Sequence, residues 1–565
     1  MKNNDWDVIV VGGGPAGCTA ASYLARDGRK VILLEKDKHP RHRIGESLLP
    51  SLMPILEDFG LLEECERRKF PRKPGATYTW GKADKPWHLK WKENPFLPYT
   101  YAYHVERASF DEMLSQYARS VGVDVREETK VTEPIFVPGT KRLAGVKWKD
   151  KNGMTGELRA KFVIDASGSA SVVAKQLSTR IFDDQMRQVA FYSYFDNVVG
   201  PDEAEVEGIE GHIVITTCAK GWFWWIPIAS KNIGYVSCGL VSGQEFKDQF
   251  NSGAGGPEKF FWQAVEETPR VKKMLGPNAK QTQPFRTVMD WSYTCDITAG
   301  PGYFACGDAA AFLDPLISTG VSLAMLSAYS AAICVNTIVT NPSKEADVIN
   351  FYQRNYKQMY EVTRDFLHYF YSGATTMHAE ELFWKGKRNL RVGDNIGAKQ
   401  AFTYFTAVIP GNPHPAIGKQ VSFFKNMMTS VDLPKEKLEK EIKIKAEWEN
   451  VKEVDFPEVG SQTRLLVNGT YEKSFFIDGK KRELVETWGI SYDAERPVLS
   501  NTASWLMGQN FLAVSQEQKQ VLQFLDGKKT WRQVCEEVRK ENKEIKFDEV
   551  LKKLCDERLV LKRVG

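Results

Sequence analysis

The residues Asp7-Val8-Ile9-Val10-Val11 and the following Gly12-Gly13-Gly14-Pro15-Ala16-Gly17 constrain the fold of this chain more than any other stretch. The short β-branched run reads as a buried parallel strand. A helical pattern then runs from Pro15 to about Arg26 and stops at Gly28. Lys30-Val31-Ile32-Leu33-Leu34 reads as the next strand, closing at Glu35. Each residue type has a physical task. Gly12 permits the tight turn, Gly14 lets backbone approach a pyrophosphate, and Gly17 lets helix and strand pack closely. Ala16 lies in the first helical turn, where unpaired N–H groups and a partial positive charge favour phosphate. Glu35 is placed to accept hydrogen bonds from ribose hydroxyls. Strand, turn, helix, strand and terminal acid in register predict a Rossmann-like dinucleotide-binding domain in an α/β protein.

At 565 residues the chain is too long for one core and is expected to divide into two or three domains. A net charge of +4 gives no electrostatic case for a nucleic-acid partner. The nine cysteines are odd in number, irregularly spaced and without a Cys-x-x-Cys pair, which predicts a reduced, cytoplasmic chain. The residues before the first strand lack the basic-then-apolar pattern of a signal peptide. No stretch reaches the roughly 18–20 uninterrupted apolar residues of a membrane span. The 15 tryptophans suit flat apolar walls around a planar ligand.

Two later segments narrow the dinucleotide. Phe162-Val163-Ile164-Asp165-Ala166-Ser167-Gly168 reads as a strand entering a small-residue turn. Tyr303-Phe304-Ala305-Cys306-Gly307-Asp308-Ala309-Ala310 reads as another, followed by a long helical stretch to about Val339. The second segment resembles the Gly-Asp segment of the large FAD-binding family that includes aromatic hydroxylases. That resemblance implies FAD, with Asp165 and Asp308 at the cofactor and the following helix aiming its N-terminus at phosphate. Asp308 also reads as a plain helix N-cap, a role compatible with a cofactor contact. Arg43 and Arg107 match family positions close to the flavin; by themselves they read as surface arginines. Gly253-Ala254-Gly255-Gly256 has no preceding strand and reads as a loop. With no second strand–GxGxxG–helix unit, reduced FAD is expected from a separate flavin reductase.

Three further segments sharpen the resemblance: Trp222-Phe223-Trp224-Trp225-Ile226-Pro227, Asp314-Pro315-Leu316-Ile317-Ser318-Thr319-Gly320-Val321, and Phe70-Pro71-Arg72-Lys73-Pro74-Gly75. Together they resemble flavin-dependent halogenases, over Met1 to about Met428. The resemblance implies that FAD, O2 and a halide, chloride or bromide, generate hypohalous acid, which travels to Lys73. Ser318, Thr319 and Gly320 would cradle the halide. Lys73 would hold the oxidant in an apolar passage where burial depresses its pKa. A lone lysine is ordinarily solvated; the flanking Phe70, Pro74, Gly75 and Trp80 favour the buried role. Trp222, Trp224, Ile226 and Pro227 would separate flavin from substrate, although Trp222 and Trp224 also read as alternating aromatics on a sheet face. Asp290 matches an aspartate that, in the family member of chloramphenicol biosynthesis, is covalently tied to a flavin methyl group; it also reads as a turn residue. Tryptophan halogenases carry a glutamate before the Ser-Thr-Gly run. Ile317 stands there in this chain, which directs expectation toward a phenol, pyrrole or acyl group, free or tethered to a carrier protein.

The expected architecture is an aromatic-hydroxylase-like FAD domain over residues 1–340, with an inserted mixed substrate-binding sheet at about 70–105 and 185–290. Residues 341–430 are expected as a helical cavity cover, in which His368 and His378 lack a partner at metal-ligand spacing. Residues 431–565 are expected as a mostly helical, winged-helix-like cap, with Pro434 to Glu453 an exposed helix or linker. Acids and bases interleave in that cap without a basic face, so a structural or carrier-docking role is expected before nucleic acid. The rivals are a flavin hydroxylase that would be reduced directly by a nicotinamide, and a non-catalytic scaffold that would hold no flavin.

Overall fold

The computed structural model describes residues 6–80, 85–93, 99–177, 180–201, 209–228, 235–251, 256–371, 377–378, 380–385, 451–453, 456–467, 470–478, 481–491, 511–556 and 560–563. The chain forms two compact units, Met1–Ile417 and Gly418–Gly565.

The first unit is built on two sheets. In the first, spatial order runs Ala299–Gly300, Tyr303–Ala305, Thr155–Asp165, Trp6–Val11, Val31–Leu34, Asp124–Arg126. Trp6–Val11 is flanked by parallel partners on both sides, Val10 opposite Ile164 and Leu33. Val8, Ile9 and Val10 are fully buried, as expected for a strand covered on both faces. The helix Pro15–Arg26 follows directly. A hairpin of Thr129–Phe136 and Leu143–Asp150 extends the outer part of Thr155–Asp165. This is the Rossmann-like arrangement that the glycine motif predicts.

The second sheet is mixed and has nine strands, drawn from segments far apart in sequence. Its order is Ala311–Phe312, Arg286–Cys295, Arg180–Asp196, Val236–Gly243, Gly221–Pro227, Ile213–Cys218, Gly75–Thr79, Trp87–Lys90, with Lys280–Gln281 at the side of Arg180–Asp196. Gly221–Pro227 is a central strand. Its even-numbered side chains Trp222, Trp224 and Ile226 share one face, while Phe223 on the opposite face packs against Phe261. A Cβ on Gly239 would lie 2.3 Å from the Trp224 ring, so the glycine in the neighbouring strand makes room for the indole.

The long helix following the Gly-Asp segment starts later than the sequence pattern indicates. A 3-10 turn at Gly307–Ala309, the short strand Ala311–Phe312 and a second 3-10 turn at Pro315–Ile317 come first, and the helix spans Gly320–Thr340. Asp308 therefore does not cap it; its amino end lies at Thr319. The helix is long and apolar enough to cross a membrane by composition, and most of it is buried within the unit. A helix apolar on all sides serves here as a core element. Glu345–Tyr371 follows as a 27-residue helix.

In the second unit, helices Gln516–Leu522, Trp531–Glu541 and Phe547–Asp556 enclose a core of Val521, Leu522, Trp531, Val534, Val538 and Leu554. Thr530 caps the second helix through a reciprocal box with Gln533. The described residues of this unit also form seven strands, so it is less helical than the sequence indicates. Two segments differ from what their local composition indicates. Val451–Glu453, read as part of an exposed helix or linker, is a strand paired antiparallel with Val560–Arg563. Asp526–Thr530, turn-like in its Asp-Gly pair, is a strand paired with Arg464–Val467 and runs into the helix start at Thr530. In both cases long-range pairing overrides local composition. A separate three-stranded sheet, Thr470–Asp478, Glu483–Ser491 and Phe511–Ala513, was not legible in the sequence. Residues 252–255, most of the Gly253–Gly256 segment, lie outside the described residues.

Candidate active site

The glycine turn is a steric requirement. Gly12 sits at φ +105°, and a Cβ there would lie 2.4 Å from the Ala166 carbonyl oxygen. A Cβ on Gly17 would lie 1.8 Å from the Gly12 carbonyl oxygen. Gly14 is open: the nearest atom to its would-be Cβ is an Arg41 nitrogen at 3.6 Å. No side chain caps the helix at Pro15, so its first N–H groups, Ala16 and Gly17 among them, remain available. This cradle fits the diphosphate of FAD. Glu35 accepts the Gly13 N–H at 2.6 Å, which fixes the carboxylate at the end of the second strand.

Arginines and acids form one buried network beside this cradle. Arg41 reaches Glu35 at 3.3 Å and Asp111 at 2.7 Å. Asp111 also takes two bonds from Arg107, at 2.8 and 3.0 Å, and Arg107 donates onward to the Ile44 carbonyl. Burial would push the Asp111 carboxyl up, but Arg107 and Arg41 outweigh it and hold it below the ordinary range. The structure thus brings Glu35 and Arg107 together through Arg41 and Asp111, two residues that sequence reasoning passed over. Arg43 stands apart, paired with Asp37 on a partly exposed surface. Asp165 is fully buried, and its carboxylate accepts the N–H groups of Ser167, Val173 and Ala174. It shapes the turn against Gly12. Burial pushes the Asp308 carboxyl up to about 6, with Arg107 and Arg180 opposing the rise.

The loop Asp314–Gly320 turns sharply at Ser318, which adopts left-handed backbone at φ 59° and precedes right-handed Thr319. Such a left–right pair at a helix start aims successive N–H groups into one concavity. The Oγ atoms of Thr319 and Ser322 are buried there without a hydrogen-bond partner. Asp314 anchors the loop: it accepts the Leu316 N–H at 3.0 Å, Gln188 Nε2 at 2.8 Å and the Tyr371 hydroxyl at 2.9 Å. Tyr371 in turn accepts the Trp222 indole N–H at 2.6 Å. Trp224 donates to Ser237 at 3.1 Å. The backbone of Asp290 pairs with Gln188, and its side chain lies outside the described residues. Ile317 is buried, as is Ile226.

Lys73 is 2% exposed. Its Nζ donates to the Leu48 carbonyl at 3.0 Å and lies 5.2 Å from the centre of the Trp91 ring. Burial alone pushes its ammonium down to about 7. Its strand, Arg72–Lys73, pairs with Ala102–Tyr103 and packs near two buried histidines absent from the sequence reading. His104 Nε2 lies 2.8 Å from the Gly211 carbonyl, and His212 Nδ1 lies 3.0 Å from Thr77 Oγ1. Burial, aided by the Lys73 charge, holds His104 well below its ordinary value. Burial, then the charges of His88 and Lys73, lowers His212 to about 3. No sequence spacing links these residues; only the sheet does. His368, without a partner at ligand spacing in sequence, lies 2.6 Å from Asp183. Among the described residues no group of three His, Cys, Asp or Glu is placed to hold a metal.

Known proteins resemble this chain in sequence and in fold. The family model described as tryptophan halogenase matches residues 7–95 and 89–414. A tryptophan 2-halogenase of Chondromyces crocatus is 37% identical over 387 residues, spanning 66% of this chain and 71% of the relative. A 1H-pyrrole-2-carbonyl-(peptidyl-carrier protein) chlorinase of Pseudomonas fluorescens is 32% identical over 354 residues, 59% of this chain and 76% of the relative. The structure of the myxobacterial chondrochloren halogenase, described as a variant of FAD-dependent halogenases, superimposes with a TM-score of 0.64 at 33% identity, covering 71% of this chain and 90% of that one. This chain belongs to the tryptophan-halogenase family and is a flavin-dependent halogenase.

Proposed function

We propose that the enzyme chlorinates an electron-rich aromatic substrate, a phenol or a pyrrole, with Lys73 as the residue that holds the electrophile. The observation that carries this reading is the buried Lys73 amine, bonded to one carbonyl and facing Trp91, with no carboxylate paired to it among the described residues. An amine poised between charged and neutral forms near pH 7 can hydrogen-bond hypohalous acid without being locked into an ion pair. Bound FAD, reduced by a separate reductase and reacting with O2, supplies the oxidising power that converts halide to hypohalous acid. Ser318, Thr319 and Gly320 hold the halide through helix-terminal N–H groups, supported by the unpartnered Thr319 hydroxyl. Trp222, Trp224 and Ile226 form the wall that keeps organic substrate from the flavin, so that the oxidant reaches it only through a passage to Lys73.

Two observations bear on the substrate. Ile317 is an apolar, buried side chain, so it offers no carboxylate to help a weakly activated ring lose its proton. A phenol or pyrrole supplies its own electron density. The pyrrole chlorinase relative supports a substrate delivered on a carrier protein. A second reading, an indole substrate, draws on the name of the tryptophan 2-halogenase relative and is tested by offering free tryptophan alongside the phenol.

The test is Lys73→Ala. The variant is expected to bind FAD and to let O2 oxidise the reduced flavin with halide present while yielding no halogenated product from 4-methylphenol or a pyrrole-2-carbonyl carrier protein. Full product yield from Lys73→Ala would remove the mechanism.

A further inference from the structure

Electrophilic halogenation replaces a C–H bond, so a base must take the proton that leaves carbon. Lys73 and His104 are neighbours by strand geometry. Lys73 pairs with Ala102, and the His104 N–H continues the ladder by donating to Pro71 at 2.8 Å. Side chains two residues apart along a strand share a face, so His104 is the diagonal neighbour of Lys73. Both lean on the same segment: His104 bridges to Ser47, and the Lys73 amine bonds the carbonyl of Leu48. The His104 ring is fully buried. Its Nε2 faces a carbonyl, which can only accept, so Nε2 carries the proton and Nδ1 has a bare lone pair. That Nδ1 has no hydrogen-bond partner. The partner carbonyl is itself fixed: Gly211 sits at φ +78°, and a Cβ there would lie 2.4 Å from the Arg72 carbonyl oxygen. A buried acceptor left open is destabilising, and a ligand-directed role accounts for it.

We propose that His104 Nδ1 is the general base that removes the proton from the substrate carbon as halogen arrives from the oxidant held at Lys73. This inference rests on the reading of Lys73 given above. The C–Cl bond forms as the O–Cl bond of hypochlorous acid breaks, and the departing hydroxide takes a proton from the Lys73 ammonium to leave as water. The ring proton passes to His104 Nδ1, and the imidazolium returns it to the Lys73 amine. Aromatic C–H and hypochlorous acid thus become aromatic C–Cl and water, with both side chains restored. A weak base is sufficient, because the halogenated ring cation is a strong acid. The Lys73 charge also reaches His212, whose Nε2 has no partner either, so it serves as the internal control.

The experiment compares wild type, His104→Gln and His212→Gln with 4-methylphenol and its ring-deuterated form. Free hypochlorous acid is trapped by 2-chlorodimedone. The glutamine amide can still donate to Gly211 but offers no basic nitrogen. His104→Gln is expected to lose product at least 100-fold, to release more trapped oxidant per product, and to show an isotope effect above 2 where wild type shows none. Ring nitrogen NMR of the cofactor-free protein is expected to find His104 neutral and protonated at Nε2 at pH 7. Product within threefold of wild type for His104→Gln, or an Nδ1–H or cationic His104, would overturn the inference. If Lys73→Ala is inactive while His104→Gln is fully active, His104 alone is refuted; if Lys73→Ala is active, the reading beneath it fails first.

Discussion

The indole N–H of Trp222 donates to the hydroxyl of Tyr371 at 2.6 Å, across 149 residues of sequence. Tyr371 passes the bond to Asp314, so the proposed partition strand and the proposed halide loop are joined by one hydroxyl. Tyr371→Phe would leave the buried Trp222 N–H without this acceptor. A loss of about 1–3 kcal/mol is expected in urea unfolding, with a raised half-saturation for chloride as the loop loosens. An unchanged midpoint together with an unchanged chloride dependence would show that the link carries neither load.

Lys73 predicts a dependence of stability on pH. Its folded value, about 7, lies below the ordinary 10.5, so the unfolded chain binds more protons between those limits. Stability therefore rises with pH across the window from about 7 to 10.5, by about 1.4 kcal/mol for each pH unit crossed at most. Lys73→Met removes this dependence. The variant is expected to exceed wild type most at pH 6 to 7 and to lose that advantage by pH 10, measured by denaturant midpoints at several pH values.

Glu46 runs the other way. Its carboxyl accepts the Tyr194 hydroxyl at 2.6 Å, while Oε2 is buried without a partner. Burial pushes it up to about 7 from 4.5, against the opposing bonds from Tyr194 and Ser237. The folded chain binds the extra proton between those values, so stability falls as pH rises through the window. Glu46→Gln is expected to match wild type at pH 4.5 and to surpass it by a few kcal/mol at pH 8. Equal pH profiles for the two proteins would show that Glu46 ionises freely.

Two glycines separate a close approach from a mere backbone preference. Gly17→Ala places a methyl group 1.8 Å from a carbonyl oxygen and is expected to abolish flavin binding, read as loss of yellow colour after reconstitution. Gly28, at φ +77°, has nothing within 4 Å of its would-be Cβ. Gly28→Ala is expected to cost about 1–2 kcal/mol of stability and to keep the flavin. A yellow Gly17→Ala protein would contradict the packing seen here.

What the sequence made legible follows from how local each signal is. The glycine turn declares itself because strand, turn and helix are consecutive, and the Lys73 segment because Phe70, Pro74 and Gly75 flank it. Arg41 is not separable in sequence from Arg43, two residues on, since only the fold decides which one meets Asp111. The start of the helix at Gly320 was misplaced because Ala309-Ala310-Ala311 continues a helical composition through residues that in fact form a turn and a strand. His104 and His212, and the partners of Tyr371, were invisible for a different reason: each gains its neighbours through sheet pairing or helix packing over long separations, which no window of sequence samples.

The chain Glu35–Arg41–Asp111–Arg107 has a consequence for how the enzyme cycles. Every charge in it is already matched within the protein, so the pocket does not depend on its guest for cohesion. An apoprotein of this kind would stay open rather than collapse, and loading flavin would demand little reordering. That rigidity would suit the cycle proposed above, in which a separate reductase supplies the reduced coenzyme.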